Sequence, residues 1–118
     1  MTGDEVRALC LSLPETMEKE TWGDTSNPGN PTFRVRDKIF LIMTVAEAGA
    51  SVKTSLDEQA ALMSAFPDGA RYAAYVGRYG WVDLEFAAIP DEVLCETIEG
   101  AWARPAPKRV AAEWRAGR

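Results

Sequence analysis

The chain has no histidine. That absence removes Ser-His-Asp and Cys-His catalysis, histidine general bases and histidine metal ligands. Cysteine is nearly as scarce. Cys10 and Cys95 stand far apart, each among apolar residues at helical spacing. They read as two buried free thiols, and two distant sulfurs do not close a zinc site. No phosphate loop or cofactor fingerprint is present. No apolar run is long enough to span a bilayer. The opening residues, MTGDEVRALC, lack the basic and apolar regions of a signal peptide. The expectation is a cytoplasmic protein with no cofactor and no membrane partner. Without a nucleophile–base pair, it is expected to bind something rather than to catalyse.

What is present suits one compact domain. The 118 residues are 47% apolar and 26% charged, the balance of an ordinary globular protein. Charge is unevenly placed on this acidic chain, whose net charge is -5. Residues 104–118 carry Arg104, Lys108, Arg109, Arg115 and Arg118 against Glu113, a net of +4. The remainder holds eight cations against seventeen anions, or -9. The division expected is a domain over 1–103 and a basic tail over 104–118, docked on its own domain or free as an interaction arm.

Periodicity orders the elements. Thr2 to Glu5 spells a capping box, and Val6, Leu9, Cys10 and Leu13 follow at helical spacing until Pro14. MEKETW (17–22) alternates as an edge strand would, and GDTSNPGNP (23–31) is loop chemistry. TFRVRDKIFLIM (32–43) reads as a hairpin, with Phe33 and Val35 on one side, Arg34 and Arg36 on the other, and the turn near Arg36-Asp37-Lys38. Ile39 to Met43 is apolar on both faces, so it is expected centrally in the sheet, covered on both sides or half exposed to a partner. GASVKT (49–54) continues the sheet. SLDE (55–58) caps a second helix, and ARYAAYV (70–76) and WVDLEF (81–86) read as strands. Pro90, Asp91 and Glu92 open a third helix. Val110 and Trp114 place a short helix in the tail. The order predicts an α+β fold, an antiparallel sheet with helices packed on one face.

In this order, LCLSLPE (9–15), TFRVRDKIF (32–40), VKTSLDEQAAL (52–62), GWVDLEF (80–86) and IPDEVLCETI (89–98) resemble the MmcQ/YjbR family. The resemblance implies a frataxin-like (CyaY-like) α+β domain and DNA binding through a wing-like hairpin. Lys38, Lys53 and Trp81 match the family's motif positions. Asp37 stands where the family has glycine, which should strain or reshape the hairpin tip.

Two functional readings follow. In the first, the hairpin cations Arg34, Arg36 and Lys38, joined by Lys53 and Arg78, pair with DNA phosphates in weak, salt-dependent binding. The competing account is an ordinary solvated edge, whose charges need no ligand. In the second, the chain is a protein- or small-ligand-binding module that uses aromatic residues, with Trp22 beside the polar loop and Trp81 as its candidates. The same set of aromatics includes Tyr72, Tyr75 and Tyr79. Metal binding by Asp4, Glu5, Glu15, Glu18 and Glu20 is disfavoured, because capping and the helix dipole already account for the first two.

Overall fold

The computed structural model describes residues 1–23, 25–26 and 29–117. It contains six strands in one sheet and four α-helices, the α+β architecture expected. Helix α1 (Gly3–Ser12) begins on a complete capping box. Thr2 Oγ1 accepts from the Glu5 N–H, and the Glu5 carboxylate accepts from the Thr2 N–H. Strands β1 (Thr16–Thr21), β2 (Asn30–Val35), β3 (Lys38–Met43) and β4 (Gly49–Lys53) follow. Then come α2 (Leu56–Ala65), β5 (Ala70–Tyr72), β6 (Trp81–Glu85), α3 (Asp91–Ala103) and α4 (Lys108–Ala116). Neighbouring strands pair antiparallel in the order β1-β2-β3-β4-β6-β5.

Alternation along each strand decides which face is buried. The row Phe33–Leu41–Val52–Val82 is sealed, as are Met43, Ala50 and Leu84 beside it. Helices α1 and α3 cover this face with Val6, Cys10, Leu13, Leu94, Ile98 and Trp102. Among the described residues, no helix packs on the other face. A bulge lets β3 serve both faces: Phe33 pairs with Leu41 and Arg34 with Ile39, so Phe40 has no residue opposite it. Phe40 therefore joins Leu41 in full burial, while Ile39 and Ile42 stay half-buried on the uncovered face. Of the two expectations for Ile39–Met43, the half-exposed one describes the fold.

Four local readings need correction. Arg36 does not share a strand face with Arg34. It is the first residue of a two-residue turn with φ +50° at Arg36 and +66° at Asp37, the left-handed pair of a type I′ hairpin. The strand at 70–76 stops at Tyr72, and the chain leaves through a left-handed Tyr75. Cys95 is half-buried rather than buried, whereas Cys10 is sealed and its thiol is pushed up to about 12 by that burial. In the loop at 23–31, Asp24, Asn27 and Pro28 lie outside the described residues, and strand β2 already begins at Asn30.

The segment after α3 docks on the domain. Ala106 and Ala111 belong to the main core, and the Trp114 ring meets Trp102 edge-on at 5.1 Å between centroids. Arg109 lies 3.6 Å from Glu113, and Arg115 shares a hollow with Glu96 and Glu99, so basic side chains do approach acid here. Arg118, counted in the tail's charge, lies outside the described residues.

Candidate binding face of the sheet

The uncovered face gathers three of the residues singled out above. One step beyond the sealed Phe33–Leu41–Val52–Val82 row come Arg34 on β2, Lys53 on β4 and Trp81 on β6. Each is the neighbour of a sealed residue, so alternation turns each to the open side. Each is half-buried. Three inter-strand steps separate Arg34 from Trp81, about 14 Å at the usual spacing. Met17 and Ile39 lie in the same row beside Arg34, and Met17 is 55% exposed.

Both cations in the row are positioned by neutral oxygens. Arg34 Nε donates to Thr32 Oγ1 at 3.2 Å, and its Nη2 donates to Thr21 Oγ1 at 2.9 Å. Thr32 is itself sealed and fixed by donating to the Lys19 carbonyl at 2.7 Å. A guanidinium has five N–H donors, so Arg34 keeps donors for a ligand. Lys53 Nζ donates to the Thr54 carbonyl at 3.2 Å and to the Tyr79 carbonyl. Burial, with Arg104 adding to it, holds the Lys53 ammonium below the usual lysine range. Among the described residues, neither Arg34 nor Lys53 has a carboxylate in ion-pair reach. An anion arriving at this row meets positive charge that no described residue compensates by an ion pair.

The other candidates divide by position. Arg36 is engaged: its Nε donates to Glu15 at 2.9 Å, which lowers the Glu15 carboxyl and raises Arg36. Lys38 is exposed at the base of the turn, one residue from Ile39. Arg78 sits in a 3-10 turn with its guanidinium 4.8 Å from the Tyr79 ring centre. Because Lys53 reaches the Tyr79 carbonyl, Arg78, Tyr79, Lys53 and Trp81 share one corner of the sheet. Tyr72 and Tyr79 are exposed there, and Tyr75 is 96% exposed. Trp22 is 66% exposed with φ +69° but follows β1 at the far end of the sheet from Trp81. The structure does not bring Trp22 and Trp81 together.

Charge is sorted between the layers. Helices α1, α2 and α3 carry eight acids against Arg7 alone. The open face carries Lys19, Arg34, Lys53 and Arg71 against Asp83 and Glu85. An acidic protein thus presents a locally basic sheet, which the overall charge conceals. Residues at the far side of this face were not anticipated. Ser51 Oγ donates to Asp83 Oδ1, and these two with Thr44, Arg71 and Glu85 border a hollow of about 270 Å³. Ser51 and Asp83 are cross-strand partners 32 residues apart, a juxtaposition that only the register creates. Among the described residues no group of three or more His, Cys, Asp or Glu side chains is placed to hold a metal ion. No helix among them is long and apolar enough to cross a membrane.

Comparison with known proteins places this geometry in context. A family model described as YjbR matches residues 11–104. The crystal structure of Deinococcus radiodurans protein DR2400, with the family-model domain DUF419, is similar in fold at a TM-score of 0.77 and 20% identity. That match covers 95% of this chain and 86% of the other. No curated protein matches the chain.

Proposed function

The chain belongs to the YjbR family, and from that premise we propose a non-enzymatic binding domain that takes single-stranded nucleic acid on the open face of its sheet. One observation carries the reading: Arg34 and Lys53, cations without an acid partner among the described residues, share a cross-strand row with Trp81 on the face that no described helix covers. A single strand offers what such a row can use. Its phosphates pair with the cations, and its unpaired bases stack on an aromatic ring. Tyr79 and Arg78 extend the stacking surface at the Trp81 corner, whereas Lys38, opposite the sealed Val35, has the other parity and stands outside the row. The hairpin is then the rim of the site rather than its centre, because Arg36 already holds Glu15. The acidic helices face away and keep affinity modest.

Fluorescence anisotropy of a labelled dT oligonucleotide across a salt series tests this. Two phosphates paired by Arg34 and Lys53 give a log–log salt slope of about -1.4, at roughly -0.7 per phosphate for a single strand. Trp81→Ala should weaken binding by about 1–3 kcal/mol, the worth of one stacked base. Duplex DNA should bind less well, since its bases cannot reach Trp81. Absence of binding at low salt, where attraction is strongest, would sink the reading.

A protein-binding role for the same face is the second reading, favoured by Met17, Ile39 and Ile42 beside the cations. It calls for an interaction that survives high salt and is lost with Met17→Ser. Trp22, at the opposite end, would not contribute.

A further inference from the structure

The hollow next to the Arg34–Lys53–Trp81 row has a shape and chemistry that the row itself does not use. Its volume, about 270 Å³, lies just below the roughly 300 Å³ at which pockets begin to enclose drug-sized ligands, the scale of one flat heterocycle. Its floor is the open face of β4 and β6, and its walls are the β3–β4 turn at Thr44 and Ala48 and the Arg71 side chain of β5. Asp83 is two residues from Trp81 on the same face of β6, so the two stand about 7 Å apart along the strand. An extended single strand stacked on Trp81 carries its next base to the hollow.

The polar groups there are acceptors held in place. Ser51 donates to Asp83 Oδ1 and so fixes the carboxylate plane. No other bond to Asp83 is made among the described side chains, which leaves Oδ2 and the second lone pair of Oδ1 for a ligand. Glu85 follows on the same strand face, 3.6 Å from Arg71 Nη2. A carboxylate accepts and never donates. Of the common bases only guanine presents two adjacent N–H donors, N1–H and the 2-amino group, on its Watson–Crick edge. Adenine and cytosine place an acceptor beside their single amino group, and thymine flanks its N–H with two carbonyls. Each of those would set an acceptor against the Asp83 carboxylate. Arg71 meets the anionic backbone that must pass this edge and offsets the repulsion from the two acids.

We propose that this hollow seats one guanine of a bound single strand, read by the Asp83 carboxylate through two charge-assisted hydrogen bonds. The inference rests on the nucleic-acid reading above, and its test separates the two. Labelled dT9 is compared with dT4-dG-dT4 and with dT4-dI-dT4, in which inosine lacks the 2-amino group; an RNA series of the same sequences runs in parallel. The single guanine should tighten binding about tenfold, as one bidentate contact to a base does, and inosine should retain only part of that gain. Asp83→Asn should bring the ratio of the guanine to the dT9 affinity to about one. Because Asp83 also holds Ser51, a second variant is needed. Ala48→Leu, at the exposed rim, fills the hollow without touching that bond and should abolish the preference equally. Equal affinity for dT9 and the guanine strand, with both binding, overturns the guanine seat while nucleic-acid binding stands. Failure of every oligonucleotide to bind overturns both. Displacement of the guanine strand by free methylguanidinium, with no effect of guanosine at the same concentration, also overturns it, since the hollow would then read a cation and not a base.

Discussion

Replacing Gly80 by alanine probes the corner that holds Lys53, Tyr79 and Trp81 in place. Gly80 has φ +100°, and a Cβ built on it would stand 2.0 Å from the Thr54 carbonyl oxygen. That oxygen is backbone, so the alanine cannot be accommodated by turning a side chain. Gly80 must move, and its own carbonyl accepts two hydrogen bonds, from the Thr54 N–H at 3.0 Å and from Thr54 Oγ1 at 2.6 Å. The left-handed backbone costs an alanine about 1–2 kcal/mol. Two weakened hydrogen bonds cost about 0.5–1.5 kcal/mol each. The smaller unfolded-state entropy of alanine returns about 0.4–1 kcal/mol. The expected net loss is about 1–5 kcal/mol, with the middle near 3. Urea unfolding followed by tryptophan fluorescence should show a lower midpoint with an unchanged slope. Gly100→Ala is the matched control. It lies inside α3 with nothing within 4 Å of the added carbon, and should stabilise by up to about 1 kcal/mol. A loss below about 1 kcal/mol at Gly80, or a loss at Gly100 as large as that at Gly80, would refute the reasoning.

Trp114→Ala should cost about 2–3 kcal/mol in the same assay, at the low end for a large aromatic because the ring is only half-buried against Trp102; a neutral result would mean that α4 does not contribute to the core. Stability should respond to acid in two windows. Glu15 and Glu47 are held below their ordinary 4.5 by hydrogen bonds from Arg36 and Arg7, so what they contribute is complete above 4.5 and is lost as pH falls through their depressed values. Glu58 is raised above 4.5 by burial, partly opposed by Arg104, so it disfavours the fold at neutral pH and that penalty fades as pH falls toward 4.5. Urea midpoints from pH 7 to 3 should therefore rise slightly before they fall, and Glu58→Gln should remove only the rise. A thiol reagent at pH 8 should modify Cys95 first and leave Cys10 untouched until the protein unfolds; equal rates in the native protein would contradict the burial described.

Local signals carried much of this fold. The capping box at Thr2, the N-cap at Ser55, the apolar spacing of Val6, Cys10 and Leu13, and the Pro90-Asp91-Glu92 start each act within a few residues, and α1, α2 and α3 begin where they point. Val110 and Trp114 were enough to place α4 and its docking. What escaped depends on partners distant in the chain. The Phe40 bulge comes from the pairing of β2 with β3 and has no glycine to mark it. The Arg36-Asp37 turn lacks the Asn-Gly signature of its type, so alternation was carried one residue too far and Arg36 was placed beside Arg34. Alternation set Arg34 opposite Phe33 and Val35, but the row it shares with Lys53 and Trp81 exists only once β4 pairs with β6 across residues 53 and 81. The hollow at Asp83 was invisible for the same reason: a serine and an aspartate become a fixed pair only in register.

The edge strand β1 has one more consequence, for how copies of the chain meet. An antiparallel strand from a second copy, added so that both sheets keep the same face toward the helices, must pair residues of like parity. In the register centred on Lys19, lysine faces lysine and Glu18 faces Glu20. Moving the centre to Glu18 or Glu20 sets glutamate against glutamate. Like charges directly opposite one another destabilise a pair of strands. Glu18→Thr with Glu20→Thr should lift much of that opposition and appear as concentration-dependent sedimentation. In the native chain, the three-residue run Glu-Lys-Glu makes the exposed rim of the sheet repel its own image.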